Sequence, residues 1–353
     1  MMTLRLIADA RDPESWNSRK AIARAAEILR MGGTVAFPTE TVYGLGANAL
    51  QAEAVTKIFA AKDRPAWDPL IVHIGEARMV EDVAREIPEN ARRLMQVFWP
   101  GPLTLLLPKR DEVPSLVTAG LPRVGLRMPA HPVAAALLRA AEIPVAAPSA
   151  NRFGRISPTQ AEHVAEDLDG RIDAILDGGD TTHGVESTVV DVREDGCTIL
   201  RPGVITLEQI RAVCVGDVRM RTEDAFDEKL GAAESPGMSV RHYAPRARLV
   251  LIDGEGDAQQ VAFGAAAWEC EQEGEALGLM LPDAFQSAVI GRCARVYRWG
   301  RWDDPEELAQ RLFAGLRWLD AGGATAIVCP LPAGRGIGVA MRDRLRRAAR
   351  GQR

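Results

Sequence analysis

The chain has 353 residues, enough for two domains. Hydrophobic residues make up 47% and charged residues 26%, which excludes wholesale disorder and predicts a sizeable core; aromatics are only 5%, so Ala, Val, Leu and Ile must fill it. A formal net charge of −5 argues against a general nucleic-acid coat protein, and no run of 18 apolar residues could span a membrane.

The opening residues, Met1-Met2-Thr3-Leu4-Arg5, lack the apolar core of a signal peptide. The stretch 18–31 reads as a helix capped by Ser18, with Ile22, Ala25, Ala26 and Leu29 on one face and Gly32-Gly33 stopping it. Residues 34–38 form a short apolar strand and 39–46 a loop. Helices are predicted over 52–62, 79–85, 89–98, 132–141, 159–167 and 206–213. Strands are predicted over 70–74, 103–107, 124–127, 145–147, 174–177, 187–192 and 198–201, with Pro100-Gly101-Pro102 as a hard break. Strands and helices in irregular order predict an α/β fold with a mixed twisted sheet. This first domain is expected to occupy residues 1–215.

The stretch 216–245 is charged and weakly periodic, and it ends in Ser235-Pro236-Gly237-Met238 and His242-Tyr243-Ala244-Pro245. It reads as an interdomain linker. From 246 to 353 strands (249–252, 277–281, 296–299, 324–329) alternate with helices (258–272, 305–321, 338–349), which predicts a smaller parallel-sheet, Rossmann-like domain. Six arginines in the last twelve residues, Arg342, Arg344, Arg346, Arg347, Arg350 and Arg353, read as the solvated face of an amphipathic helix. The five cysteines, Cys197, Cys214, Cys270, Cys293 and Cys329, are odd in number and form no CxxC pair, which predicts reduced cytoplasmic thiols rather than a disulfide framework or a zinc site.

Polar and cationic groups recur at the predicted strand ends, where open α/β folds bind ligands. Pro38–Gly46 supplies the hydroxyls of Thr39, Thr41 and Tyr43, with glycines where the backbone bends or nears a ligand. Lys62 and Arg64 at a helix end suit a triphosphate, and Arg127 at a strand end suits a carboxylate. His73 near the end of an apolar strand reads as a core histidine. Pro148–Asn151 with Arg155, then Ser187–Val190, then Arg201-Pro202-Gly203 complete the series. Together they predict one concave, positively charged cavity for an anionic ligand. There is no P-loop, no early GxGxxG, no GxSxG and no HExxH.

PTETVYGLG, KxR with PLIVH, WPGPLT, RMPAHP, APSAN, STVVD and LRPG occur here in the order of the Sua5/YrdC/YwlC family, which the chain resembles from about residue 18 to its end. SPGM…HYAP and the C-terminal α/β region resemble the long, two-domain members. The resemblance implies a YrdC-like domain with a C-terminal Sua5 domain. The implied activity is synthesis of L-threonylcarbamoyladenylate from L-threonine, bicarbonate and ATP, for the t6A modification of tRNA. It implies L-threonine contacts at Thr41, His73, Arg127 and Ser187. It implies ATP contacts at Lys62, Arg64, Asp68, Arg123, Ala147 (through its backbone), Ser149, Asn151, Arg155 and Arg201. Lys62, Arg64 and Mg²⁺ carried with ATP would neutralise phosphate charge. Ser235 to Tyr243, with His242, would fold over the cavity as a lid.

The implied partners are the small substrates, a downstream threonylcarbamoyl transferase that takes the product, and a weak contact with tRNA; no membrane is implied. Three departures stand out: Asp68 where Asn is frequent before PL, Arg123 where Thr is common, and Ser239-Val240-Arg241 in the linker. A carboxylate at 68 would repel phosphates unless it binds the metal or faces an arginine. The rival readings are a carbamoyl-adenylate enzyme on the same domain and an RNA-binding module; the acidic balance and scarce aromatics weigh against the latter.

Overall fold

The computed structural model describes residues 2–221, 243–289 and 294–350. The predicted lid residues Ser235 and His242, and the departure at 239–241, lie outside them. Among the described residues no helix is long and apolar enough to cross a membrane.

Eleven strands build the first sheet: β1 (Leu4–Ile7), β2 (Val35–Phe37), β3 (Gly44–Asn48), β4 (Ile71–His73), β5 (Leu103–Pro108), β6 (Arg123–Arg127), β7 (Val145–Ala146), β8 (Ala174–Asp177), β9 (Thr188–Val192), β10 (Gly196–Arg201) and β11 (Asp217–Met220). Their order is β1-β8-β2-β3-β7-β4-β6-β5-β9-β10-β11. Parallel pairs (β1 with β8, β4 with β6, β5 with β9) stand beside antiparallel ones (β2 with β3, β6 with β5, β9 with β10), so the sheet is mixed as expected.

Among the described residues seven α-helices accompany it: α1 (Trp16–Arg30), α2 (Ala52–Lys62), α3 (Val80–Val83), α4 (Glu89–Phe98), α5 (Pro132–Ala141), α6 (Ala161–Leu168) and α7 (Leu207–Arg211). α1 begins earlier than its sequence suggests. Ser15 is the cap, its hydroxyl accepting the Ser18 N–H, while Ser18 is buried in the first turn and accepts the Asp9 N–H at 3.0 Å. The stripe Ile22, Ala25, Ala26 and Leu29 is buried with Val133, Leu137 and Leu138 of α5 in one core cluster. A second cluster holds Val55 and Ile58 of α2, Leu94 of α4 and Val164 of α6 with Leu45, Val72, Leu105 and Leu126 of the sheet. α7 carries a capping box between Thr206 and Gln209.

Three strands escaped sequence reading. β3 lies where a glycine-relaxed loop was expected. Gly46 is small for packing: a Cβ there would stand 2.7 Å from Val145 Cγ1 and 2.8 Å from Phe37 Cε1. β1 is a four-residue strand, and β11 begins the stretch read as a linker.

The chain clusters into two compact units. Among the described residues, the second takes Gly154–Ile156 and His183–Val185 together with everything from Tyr243 onward. Its strands β12 (Arg248–Ile252), β13 (Leu277–Pro282), β14 (Arg295–Gly300) and β15 (Ala326–Pro330) pair in the order β12-β15-β13-β14, all parallel, as the alternation predicted. Helix α8 (Gly256–Gln272) connects β12 to β13, α9 (Pro305–Ala321) connects β14 to β15, and α10 (Gly338–Ala349) follows β15. α9 starts sharply because Asp304 accepts the Glu307 N–H and Pro305 takes the first helical position.

The C-terminal arginines are not all solvated. Arg344 is fully buried, with its guanidinium 5.5 Å from the Tyr243 ring and 2.7 Å from Asp343. Tyr243 itself is buried and stacks on Phe313 with ring centroids 5.6 Å apart. α10 therefore turns one arginine inward, where an aromatic face and a carboxylate compensate its desolvation.

Candidate active site

The first unit gathers buried polar side chains around its central short strands. His73 ends β4, Arg127 ends β6 and Arg201 ends β10. His73 faces Arg127 in register, Leu105 faces Leu126, Leu103 faces Thr188, and Arg201 faces Val189. These pairings set Thr104 and Ser187 at the same sheet edge as Arg127 and Arg201.

Arg127 is the hub of that edge. Its guanidinium stands 2.8 Å from Glu40 Oε1, donates to Thr41 Oγ1 at 2.9 Å and to the Gly101 carbonyl at 3.3 Å. Thr41 Oγ1 lies 2.8 Å from Thr39 Oγ1, and Glu40 Oε2 accepts the Ala130 N–H at 3.1 Å. Burial works to raise the Glu40 carboxyl, but the Arg127 charge and these hydrogen bonds outweigh it and hold its pKa below the usual value. Sequence reasoning missed Glu40 as a site residue, although it stands inside the quoted PTETVYGLG segment.

Beside this hub, Ser187 Oγ lies 2.8 Å from Thr104 Oγ1, and Arg201 donates to the Ser187 carbonyl at 3.1 Å and to its hydroxyl at 3.2 Å. Thr104, which sequence reasoning also missed, belongs to the quoted WPGPLT segment. Gly203 lets the chain close on this edge, since a Cβ there would meet the Thr188 nitrogen at 2.2 Å.

His73 is fully buried, with its ring edge-on to Phe37 at 6.1 Å and no hydrogen bond to Nδ1. Burial first, then the nearby Arg127 charge, push its pKa down to about 3. The ring is therefore neutral at physiological pH. A histidine held neutral in the folded state but protonated near 6.5 when unfolded takes stability away as pH falls through that window. Between about pH 6.5 and 3 the loss from His73 is expected to run at about 1.4 kcal/mol per pH unit. In an NMR titration the His73 ring protons should not shift between pH 5 and 8; a midpoint near 6.5 would refute the burial argument.

A cationic cluster is assembled by the end of α2 and the segment leading into β4. Lys62, the last residue of α2, is buried, and its ammonium donates to the carbonyls of Ser149 and Asn151. Arg64 donates to the Asp68 and Pro69 carbonyls at 3.1 and 2.7 Å and stands 3.0 Å from Asp68 Oδ2. Its guanidinium also lies 5.9 Å from the Phe153 ring. Asp68 is wholly buried; burial raises its pKa while Arg64, Lys62 and Arg201 pull it down, and burial prevails. The carboxylate at 68 therefore faces an arginine, which removes the conflict its sequence position raised. Asn151 is buried and Ser149 half-buried, just past β7, and Ala147 donates its N–H to the Ile71 carbonyl at 2.8 Å.

Three cations (Lys62, Arg64 and Arg201) act on the buried carboxylate of Asp68. Fixed cations converging at a buried site favour an anionic ligand.

Arg123, expected at the nucleotide, does not join these groups. Arg123 opens β6, four positions from Arg127, and is held by Asp191 at 2.8 Å and by the Leu106 carbonyl at 2.7 Å. It lines a separate cleft of about 800 Å³ with Arg85, Arg110 and Glu194. Arg155 is exposed and clusters with the second unit.

The Sua5–YciO–YrdC family model, described as "Telomere recombination", matches residues 27–203. A second model, "Threonylcarbamoyl-AMP synthase, C-terminal domain", matches 205–350. Threonylcarbamoyl-AMP synthase of Pyrococcus abyssi is 44% identical, over 95% of this chain and 95% of its own. That of Bacillus subtilis is 44% identical, over 100% of this chain and 99% of its own. The solved P. abyssi Sua5 in complex with L-threonine superposes with a TM-score of 0.89 at 42% identity, covering 99% of this chain and 98% of that one.

Proposed function

The chain belongs to the Sua5–YciO–YrdC family, and on that premise we infer that it forms threonylcarbamoyl-AMP from L-threonine, bicarbonate and ATP. The observation that supports the ATP side is the convergence of Lys62, Arg64 and Arg201 on one buried carboxylate, Asp68. On the threonine side, Arg127 with Thr41 at one sheet edge offers a guanidinium and a hydroxyl to an amino acid, and Ser187 with neutral His73 flanks them.

In the proposed reaction, the α-amine of threonine captures carbon dioxide derived from bicarbonate, giving an N-carboxylate. A carbamate oxygen attacks the α-phosphorus of ATP and pyrophosphate leaves. No covalent enzyme intermediate is required; the protein positions two reactants and meets developing charge with fixed cations. Arg64 and Arg201 supply that charge. Lys62 acts through the 149–151 turn, whose carbonyls it clasps. Ser149, Asn151 and the backbone of Ala147 then present the turn to the nucleotide. Arg123, placed in its own cleft, has no part in this assignment.

No group of three His, Cys, Asp or Glu suited to a metal occurs among the described residues, and Asp68 is committed to Arg64. Mg²⁺ bound by phosphates needs few protein ligands. We therefore assign it to ATP rather than to a protein cage. A cytoplasmic setting, hand-off of the adenylate to a threonylcarbamoyl transferase and a weak tRNA contact complete the proposal.

The test is ATP with L-threonine and labelled bicarbonate. Threonine-dependent pyrophosphate release and a labelled adenylate are expected. Pyrophosphate release that ignores threonine, or that needs carbamoyl phosphate instead, would overturn the reading.

A further inference from the structure

Two cysteines unused by the proposed reaction stand against each other in the first unit. Cys197 is the second residue of β10, and Cys214 lies three residues beyond α7. Their sulfurs are 2.9 Å apart, closer than the roughly 3.5–4.0 Å at which even smaller carbon atoms rest in non-bonded contact. Neither position depends on a loose side chain alone. The Cys197 backbone is paired with Val192 on one side and Val218 on the other. Cys214 donates its N–H to the Ile210 carbonyl at 3.0 Å. The next residue, Val215, is clamped by Asn90 of α4 through two hydrogen bonds of 2.8 Å.

We propose that Cys197 and Cys214 are an oxidisable dithiol, converted by a peroxide into a disulfide that staples β10 to the turn after α7. The asymmetry of the pair sets the order of events. Cys214 is half-buried and reachable, whereas Cys197 is buried. The hydrogen bond from Cys197 foremost, and then the Arg93 charge, lower the pKa of Cys214 against its partial burial, while the same contact and burial raise Cys197. The Cys214 thiolate attacks a peroxide oxygen, the O–O bond breaks, and the departing hydroxide takes a proton to become water. The Cys197 sulfur then attacks the Cys214 sulfenic acid, forming S–S as the hydroxyl leaves with the Cys197 proton as a second water. Two thiols lose two electrons and hydrogen peroxide is reduced to two waters.

The closed loop contains Arg201, whose guanidinium holds Ser187, so the staple would fix part of the active-site frame. Closing a loop of this length raises stability chiefly by restricting the unfolded chain. Elsewhere among the described residues, Cys270 lies 3.9 Å from an Arg248 nitrogen and Cys329 is 3.7 Å from the Pro330 carbonyl, so neither has a thiol partner.

The experiment treats the full chain with a small molar excess of hydrogen peroxide, removes it with catalase, and counts thiols after denaturation. The count should fall from five to three, with a peptide map joining Cys197 to Cys214 and a Tm higher by roughly 5 °C, reversed by dithiothreitol. Cys197→Ala should leave Cys214 trapped as a sulfenic acid that dimedone labels, and Cys214→Ala should retain its other four thiols. Five thiols surviving in the wild-type chain, a bond joining any other pair, or an unchanged Tm in the oxidised protein would overturn the proposal. The wild-type measurement stands by itself should either variant fail to fold.

Discussion

Arg64→Met is expected to cost about 3–5 kcal/mol of stability, and adding Asp68→Asn is expected to return most of that while turnover stays low. The physical reason lies in what the substitution strands. Asp68 is wholly buried, its carboxylate oxygens accept no hydrogen bond, and Arg64 at 3.0 Å is its ion-pair partner. Removing one member of a buried pair leaves the other desolvated and uncompensated, whereas removing both charges together can be nearly neutral. Lys62 and Arg201 still act on the carboxylate, which keeps the cost from rising further.

The pH dependence supplies an independent sign. Burial already raises the Asp68 pKa above its value in the unfolded chain, and losing Arg64 raises it more. Above the unfolded pKa the native state then holds a proton that the unfolded state has released, so stability falls as pH rises through the folded value. The Arg64→Met deficit should therefore be smaller at pH 5 than at pH 8. Urea unfolding followed at both pH values checks this. Pyrophosphate release checks the other half: the double variant, restored in stability, should remain slower on the order of 10²-fold because a fixed cation near the phosphates is gone. Full recovery of rate with stability would make Arg64 purely structural.

Helices were the most legible part of this chain, and the reason is local. The windows 52–62, 89–98, 132–141 and 305–321 match the observed helices because chain-breaking or capping residues sit at their borders. Pro132 and Pro305 pre-set the first helical position, and Asp63 ends α2 in the left-handed conformation at φ 53°. β3 was illegible because Gly44-Leu45-Gly46 has no strand propensity; contact with Phe37 of the neighbouring strand and with Val145, distant in sequence, selects it. β11 was lost in a polar stretch because its partner, β10, supplies the pairing.

The site divides the same way. Residues with distinctive chemistry at strand ends, such as Arg127 and Arg201, could be named from sequence. Glu40 and Thr104 could not, because their significance is a contact 87 residues away for one and 83 for the other. Arg123, four positions before Arg127, was assigned to the nucleotide through the family resemblance. Four strand residues span about 13 Å, and that distance carries it to a different cleft.

Arg127→Ala is expected to be the most disruptive change on the threonine side, raising the KM for threonine by 10-fold or more and costing about 3–5 kcal/mol. Arg127 spends its guanidinium on Glu40, Thr41 and the Gly101 carbonyl in three directions, which a flexible point charge cannot copy. Arg127→Lys should therefore recover only part of the loss. Glu40→Gln in the Arg127→Ala background should restore stability by removing the stranded carboxylate, and a double-mutant cycle should show coupling of about 1–3 kcal/mol. The acid limb should change with it. In the wild-type chain Glu40 is held below its unfolded value, so its contribution is present above that value and lost as pH falls through the folded one. Without Arg127, burial is opposed only by the backbone hydrogen bonds to Glu40, so its pKa should rise and stability should fall as pH rises towards neutrality. The same substitution removes a charge that depresses His73, whose pKa should climb from about 3 in the direction of its ordinary value. If NMR finds His73 unmoved and threonine KM unchanged in Arg127→Ala, the arginine neither governs this sheet edge nor holds the substrate.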